Sequence, residues 1–354
     1  MANVYQVALI PGDGIGREVL PEGVRVMEAV ARKQGFSFNW TEFDWSCERY
    51  QRLGEIMPAD GLAQLEPMDA IYFGAVGFPG VPDHVSLWNL LIPMRRGLQL
   101  YVNLRPVRLL PGMTSPLKDL EPGDIDYLIV RENNEGEYSE IGGRLYPGTD
   151  QEAAVQQSVF TRKGTDRIQR YAFELSQSRK KHLTSATKSN GIIHSMPYWD
   201  ERFTLNSKDF PDVETDQYHI DILSARLVLT PGWFDVIVAS NLFGDILSDL
   251  GPATTGTIAI APSANLNPER DYPSLFEPVH GSAPDIAGKG LANPIGQIWS
   301  GAMMLEHLRE HAAARAVISA IETVLEDQSL RTADLGGSAS CRDVGEAIAQ
   351  IVGG

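Results

Sequence analysis

The segment Asn241-Leu242-Phe243-Gly244-Asp245-Ile246-Leu247-Ser248-Asp249-Leu250 carries two aspartates four residues apart, directly after the apolar run Phe234 to Ser240. On a helix that spacing puts both carboxylates on one face. Two like charges so placed repel unless a cation lies between them. Oxygen donors with no sulfur or imidazole beside them suit a hard ion, Mg²⁺ or Mn²⁺. Two aspartates do not fill such an ion's shell, which leaves room for a further carboxylate, water and substrate oxygens. The plain alternative is acid complementing a helix dipole, which accounts for Asp245 better than for Asp249.

Arginines form the second constellation. Arg95 and Arg96 are followed by Arg105, in Asn103-Leu104-Arg105-Pro106, and by Arg131 at the end of a strand. Guanidinium forks match carboxylates in pairs of hydrogen bonds, so several converging arginines suit a di- or tricarboxylate. Taken singly, each is equally well a surface salt-bridge partner. Lys188 follows Arg179, Lys180 and Lys181; a desolvated lysine near other cations has a lowered pKa and can act as a base. Tyr138, in Asn133-Asn134-Glu135-Gly136-Glu137-Tyr138, offers a phenolic proton. Two further segments read as ligand-facing backbone. Gly12-Asp13-Gly14-Ile15-Gly16 turns a strand into a helix, but its third glycine falls one position early for the dinucleotide fingerprint, and Arg17 stands where that pattern wants Gly or Ala. The long loop from Glu277 through His280, Gly281, Ser282, Ala283, Asp285 and Ile286 to Asn293 offers backbone amides for a phosphate and an acid for ribose hydroxyls.

The elements that must position these groups follow from periodicity. Val4 to Ile10, Ala70 to Gly74, Asp126 to Val130 and Phe234 to Ser240 read as strands. Arg17 to Gln34, Arg162 to Gln177, Asp245 to Leu250, Gly296 to His307 and Ala312 to Glu326 read as helices, the first with apolar residues at Val19, Leu20, Val24, Val26, Met27, Val30 and Ala31. Breaks rich in Pro and Gly fall at Pro79 to Pro82, Leu109 to Pro122 and Gly251 to Pro268. Alternating strands and helices in 354 residues predict an α/β protein of two lobes.

A net charge of −16 excludes a phosphate backbone as partner while leaving room for an arginine-lined pocket inside an acidic protein. Cys47 and Cys341 make no disulfide framework and no cysteine metal site, which fits a reducing, cytoplasmic compartment. No leader and no membrane-spanning run is read from the sequence.

In this order, the motifs resemble the β-decarboxylating dehydrogenases, the isocitrate/isopropylmalate dehydrogenase family, over essentially the whole chain. The segments Asn241–Leu250 and Glu277–Asn293 are the most specific. The spacing from Arg95 to Arg105 and from Arg131 to Tyr138 also fits. The resemblance implies a two-lobed isopropylmalate-dehydrogenase-like fold with mixed sheets flanked by helices, not a Rossmann fold. Residues 1–101 plus 256–354 would form a large cofactor-binding domain. Residues 102–255 would form a central domain with the dimer interface.

The same resemblance implies a homodimer with shared active sites. Lys188 and Asp221 would reach into the neighbour's site, Asp221 joining Asp245 and Asp249 around Mg²⁺ or Mn²⁺. Arg95, Arg105 and Arg131 would hold carboxylates, Lys188 would help remove the hydroxyl proton, and Tyr138 would return a proton to carbon after loss of CO₂. NAD would lie along Ile15, Glu277, His280, Gly281, Ser282, Ala283, Asp285, Ile286 and Asn293, with Asp285 disfavouring NADP; a monovalent cation such as K⁺ is a further candidate. Asn89 and Leu91 stand where isocitrate enzymes have Ser and Asn. Trp88, seven residues before Arg95, replaces the acid of isopropylmalate enzymes. Asp83–Trp88 and Ser195–Arg202 look like the D-malate/tartrate subgroup, whose substrates are small 2-hydroxy diacids. Isopropylmalate oxidation is the alternative. A regulatory subunit and a net non-redox lyase are the readings from other classes.

Overall fold

The computed structural model describes residues 3–354. In chain order its elements begin with β1 (Val4–Gly12), α1 (Gly16–Gln34), β2 (Ser37–Glu42), α2 (Cys47–Leu53), α3 (Gly61–Leu65), β3 (Ala70–Ala75) and α4 (Asp83–Ser86). A π-helical stretch, Leu87–Leu91, leads into α5 (Ile92–Gly97) and β4 (Val102–Arg108). The middle of the chain supplies β5 (Asp126–Glu132), the hairpin β6 (Gly142–Leu145) and β7 (Ala153–Gln156), α6 (Arg162–Gln177), β8 (His182–Thr187), α7 (Ser195–Asn206), β9 (Glu214–His219), α8 (Ile220–Leu229), β10 (Val236–Ala239) and α9 (Asn241–Thr255). It closes with β11 (Pro262–Leu266), β12 (Ser274–Pro278), α10 (Ile295–His307), α11 (His311–Glu326) and α12 (Cys341–Gly353).

Ten strands form one mixed sheet in the order β2-β1-β3-β12-β11-β4-β5-β10-β8-β9. Its two wings are parallel, and the middle, β12-β11-β4-β5, is antiparallel. The architecture is therefore α/β and mixed, as the sequence implied, and lacks the all-parallel order of a dinucleotide fold. The parallel wings explain why β3 and β10 read as unbroken apolar runs. Every residue in each is buried, because helices cover both faces of a parallel sheet.

The helix α1 ends at Gly35, whose left-handed φ of 84° lets its amide bond back to the Ala31 carbonyl. Its buried side includes Val19, Val26 and Val30, part of the expected apolar set. The expected break from Gly251 to Pro268 is a correction. Residues 251–255 complete α9, and Pro262–Leu266 form a fully buried strand. Tertiary packing overrides local propensity there. A Cβ on Gly251 would stand 2.7 Å from Val107 Cγ2, so glycine lets α9 lie close on β4. Pro262 opens β11, where a missing N–H is tolerated.

Register decides which side chains meet. Asn265 pairs with Asn103, Asn103 with Arg131, Arg105 with Ile129 and Ser263 with Glu277. Side chains alternate across a strand, and directly opposed residues share a face. Glu277, Asn265, Asn103, Arg105 and Arg131 therefore all stand on one face, and Glu132 stands on the other.

Candidate active site

The helix α9 lies across the face that carries Arg105 and Arg131. Its first turn is held by Glu137, whose carboxylate accepts from Ser240 Oγ (2.7 Å) and from the Leu242 amide (3.0 Å). The anion at the helix N-terminus is thus Glu137 and not Asp245. Asp245, one turn further on, meets the arginines. Arg131 Nη1 donates to Asp245 Oδ1, while Arg131 Nε and Nη2 donate to Asn241 Oδ1 at 3.2 and 2.8 Å. Gly244 makes this crossing possible, since a Cβ there would lie 2.6 Å from Arg131 Cβ and Cγ. Tyr138 Oη donates to Asp245 Oδ2 at 2.7 Å.

Arg105 Nη1 donates to Ser248 Oγ at 2.6 Å and stands 3.7 and 3.6 Å from Asp245 Oδ1 and Asp249 Oδ1. Arg95 Nη2 reaches Glu277 Oε1 at 3.1 Å. Arg95, Arg105 and Arg131 are all buried, which sets aside the surface-salt-bridge reading for them. Buried Nε donors on Arg95 and Arg105 have no protein partner. Such donors are costly to leave unmade, and a carboxylate is the group that matches a guanidinium fork.

The electrostatics follow from this packing. Burial, joined by the neighbouring Arg105 and Arg95, lowers the pKa of Arg131 to about 10 against the pull of Asp245. Burial also lowers Arg105. Burial would raise Asp245, but Arg131 and Arg105 outweigh it and hold the carboxyl below its ordinary range. Asp249 goes the other way, raised first by desolvation and then by the charge of Asp245, against Arg105. Tyr138 is pushed up to about 12 by burial and by Asp245, so its phenol holds its proton at any working pH.

Asp245 and Asp249 sit together as hard oxygen donors on one helix face, a donor set that fits Mg²⁺ or Mn²⁺. Among the described residues of one chain, no three His, Cys, Asp or Glu side chains gather into such a site. Asp221 lies elsewhere, exposed, with Lys188 Nζ 2.8 Å from its Oδ2. The cations expected to crowd Lys188 do not. They precede the other end of β8, where Arg179 is paired with Asp126 and Asp235, and Lys181 with Asp212. Sequence proximity there was misleading, because the strand carries the chain away.

The glycine turn and the loop after β12 are one unit. The Ile15 amide donates to the Ser282 carbonyl at 2.9 Å, and a Cβ on Gly14 would collide with that same oxygen. Glu18 accepts from the amides of Gly288 and Gly290, and buried Asp13 accepts from those of Cys47, Glu48 and Gly77. Gly281 and Asp285 lie exposed on this loop, Ser282 is buried, and Ala283 and Ile286 are half-buried. His280 Nε2 is buried without a partner, and burial lowers the ring's proton affinity.

One expectation here needs correction. Glu277 lies on β12, not in the loop, and faces Arg95 and Asn265. Ile15 is buried against Val19, Ala292 and Cys341, under the loop. Asn293 is buried, with its amide engaged by Asp334 and by the Ile295 N–H that opens α10. Lys289 Nζ donates to the backbone carbonyl of Asp285 at 2.8 Å.

Trp88 is half-buried on the π-helical stretch, with the Arg96 guanidinium 5.3 Å from its ring centroid. Arg96 Nη2 also donates to the Tyr138 carbonyl at 2.7 Å. Sequence reading gave no role to Glu137, Asn241 or Asn265. Only the register of β4, β5, β11 and β12 reveals Asn265, and no spacing in the chain announces it.

Comparison with known proteins agrees with this geometry. The isocitrate/isopropylmalate dehydrogenase family model matches residues 6–348. The chain belongs to that family. It is 58% identical, over 99% of both chains, to an Escherichia coli (strain K12) protein named D-malate dehydrogenase [decarboxylating]. It is 57% identical, over 99% of this chain and 98% of the other, to tartrate dehydrogenase/decarboxylase of Pseudomonas putida. Isocitrate dehydrogenase from Methylococcus capsulatus superposes with a TM-score of 0.89 at 34% identity, covering 99% of this chain and 100% of that one. The family's solved fold is thus the fold described above. No described helix is long and apolar enough to cross a membrane.

Proposed function

We propose that this chain oxidises, and decarboxylates, a small 2-hydroxy diacid, D-malate and/or tartrate, using NAD and Mg²⁺ or Mn²⁺. The observation that carries the reading is the buried arginine cradle, with two unpartnered Nε donors, set against Asp245, Asp249 and Tyr138. The names of the relatives in Escherichia coli and Pseudomonas putida support the same class of substrate.

Arg95, Arg105 and Arg131 bind and orient the carboxylates, and their burial keeps each ion pair in a medium of low polarity. Asp245 and Asp249, with Asp221 of a second subunit, would hold the metal, which when bound supplies Lewis-acid polarisation of the 2-hydroxyl oxygen. Lys188 of a second subunit, once parted from Asp221 and in its neutral form, would take up the hydroxyl proton. NAD, when bound along the loop of His280 to Ile286, would supply the acceptor for the C2 hydride, and the 2-oxo acid so formed, held by the arginines, would lose its β-carboxylate as CO₂. Tyr138 Oη, which donates to Asp245 Oδ2 at 2.7 Å, would deliver a proton to the carbon so exposed.

NAD would lie on the amide-rich loop of His280 to Ile286, with Asp285 toward the ribose. A homodimer is supported by the hairpin β6–β7. All eight of its residues are exposed, and an isolated two-stranded hairpin is marginal in water without a partner. A cytoplasmic setting fits Cys47 and Cys341 as free, buried thiols.

The test is a panel of 2-hydroxy acids with NAD, and separately with NADP, following NADH and CO₂ together. D-Malate or tartrate should turn over with NAD, lose activity on chelation with EDTA and regain it with Mg²⁺ or Mn²⁺. Full turnover in thoroughly metal-free protein would overturn the metal assignment. Preference for isopropylmalate would overturn the substrate assignment, and CO₂ without NADH would indicate a net lyase.

A further inference from the structure

Behind the cradle runs a row of side-chain amides with no assigned role. Asn265 is fully buried on β11 and uses every hydrogen-bonding position it has. Its Oδ1 accepts from Asn103 Nδ2 at 3.0 Å and from Asn133 Nδ2 at 2.9 Å. Its Nδ2 donates to Glu277 Oε1 at 2.8 Å, with the Leu275 carbonyl at 3.5 Å. Glu277 Oε1 in turn accepts from Arg95 Nη2. The other Asn133 hydrogen goes to the carbonyl of Leu100, so the row returns to the segment that carries Arg95.

The direction of the row is fixed. If the Asn265 amide were turned over, its oxygen would face the Glu277 carboxylate and its hydrogens would face two donors. Asn103 Oδ1 and Asn133 Oδ1 are buried with no partner. An unmade buried acceptor costs stability, so both amides are oriented for their hydrogens' sake at a cost on their oxygens. Two N–H groups on one carbonyl polarise that amide and strengthen its own N–H as a donor. The row therefore directs donor strength at Glu277 from strands on both sides of the β11–β4 junction.

We propose that Asn265 is a positioning residue for substrate binding. By holding Glu277, which accepts from Arg95 Nη2, it sets the orientation of the Arg95 guanidinium for the substrate carboxylate. This rests on the assignment of Arg95 to that carboxylate.

The test compares Asn265→Asp, Asn265→Ser and Asn265→Ala with the wild type, by kcat/KM for D-malate from pH 5.5 to 9. Asn265→Asp is isosteric but places a carboxyl against Glu277, where one proton must be shared. With the proton present, an O–H replaces the amide N–H; without it, two anions repel. Its activity relative to wild type should therefore be highest at acidic pH and fall at least about tenfold as pH rises, with the loss in KM for the acid more than in kcat. The charged groups facing the position are Glu277 and, beyond it, Arg95. Asn265→Ser keeps a hydroxyl donor and should exceed Asn265→Ala at every pH.

A purely structural role would lower the melting temperature and scale all substrates alike. A flat pH ratio for a folded Asn265→Asp protein would overturn the proposal. If that variant does not fold, equal losses in Asn265→Ser and Asn265→Ala overturn it, and a Ser-over-Ala order supports it. Thermal protection by succinate, a dicarboxylate that needs neither turnover nor metal, is read in parallel. If wild type turns over no 2-hydroxy diacid, the functional reading fails. The row is then judged by whether Asn265→Ala weakens succinate protection, and unchanged protection overturns it.

Discussion

The cradle of Arg95, Arg105 and Arg131 and the corner formed by Lys188 and Asp221 are built on opposite plans. The cradle is buried, and its members are tied to Asn241, Ser248, Glu277, Asp245 and, through Asp245, Tyr138. All of these contacts are made within one chain. The corner is a single ion pair, with side-chain exposures of 27% and 67%. Such a pair contributes little to stability. Holding several arginines side by side requires a rigid, water-poor frame, whereas in the proposed dimer a base and a third metal ligand supplied by a second subunit would need mobility until that subunit docks. The contrast teaches where each function depends on folding and where it depends on assembly.

The strongest way to break the comparison is Asp245→Asn. The change removes the anion that faces Arg131, Arg105 and Tyr138 and should lower kcat/KM on the order of a hundred- to a thousandfold. Loss of activity with unchanged fold, followed by steady-state kinetics and circular dichroism, is the expected result. A variant within about tenfold of wild type would show that the cradle does not rely on that carboxylate.

Mixing separates the two plans directly. Lys188→Ala should damage the neighbour's site, and Asp245→Ala its own. Co-refolded in equal amounts, two inactive variants should return about a quarter of wild-type activity, because half the dimers are mixed and each holds one intact site. No recovery despite proven mixed dimers would place the corner in its own subunit's site.

Trp88→Ala sharpens the comparison at the cradle's rim. In the proposed reading the indole, with the Arg96 guanidinium 5.3 Å from its ring centroid, would narrow the space beside the substrate's C3. Overpacking a branched substituent there costs about 1–3 kcal/mol, roughly ten- to a hundredfold at ~1.36 kcal/mol per tenfold. Truncation should shift the kcat/KM ratio toward isopropylmalate and away from D-malate. An unchanged ratio in a folded variant that binds NAD would reject the size gate.

The smallest effect concerns the underside of the cradle. Glu132 neighbours Arg131 on β5 but faces the other side of the sheet, fully buried, with Arg167 Nη2 at 3.7 Å. Burial pushes its carboxyl from an ordinary 4.5 to about 7, against the pull of Arg167. A folded pKa above the unfolded one means the contribution to stability is present below about 4.5 and lost as pH rises through about 7. Between pH 5 and 8 wild type should therefore lose about 1–3 kcal/mol relative to Glu132→Gln. Urea melts at both pH values test this, and parallel pH dependences would contradict it.

The sequence disclosed the residues whose chemistry is local. The i, i+4 aspartates and the arginine spacing led to groups that the structure brings together, and α6 falls on its expected span. Residues whose roles depend on pairing across strands were hidden. Glu277 looked like part of a loop, and its meaning comes from Asn265, twelve residues earlier on a neighbouring strand. β11 was hidden because Pro and Gly mark breaks only where packing leaves them free to do so. Lys188 shows the converse, since charges adjacent in sequence were separated by a six-residue strand.

The placement of β11 and β12 also bears on how the chain is made. They lie between β3 and β4, with pairs such as Ser274 with Ala70 and Ala264 with Leu104. Strands β3 and β4 are close in sequence yet do not touch in the sheet order. Until residues beyond 260 have left the ribosome, each therefore presents an unfilled hydrogen-bonding edge. Sheets completed by such distant segments form slowly, and open edges invite association in the meantime. The nascent protein's exposure to aggregation thus lasts until its final third is synthesised, and chaperone demand should track that interval.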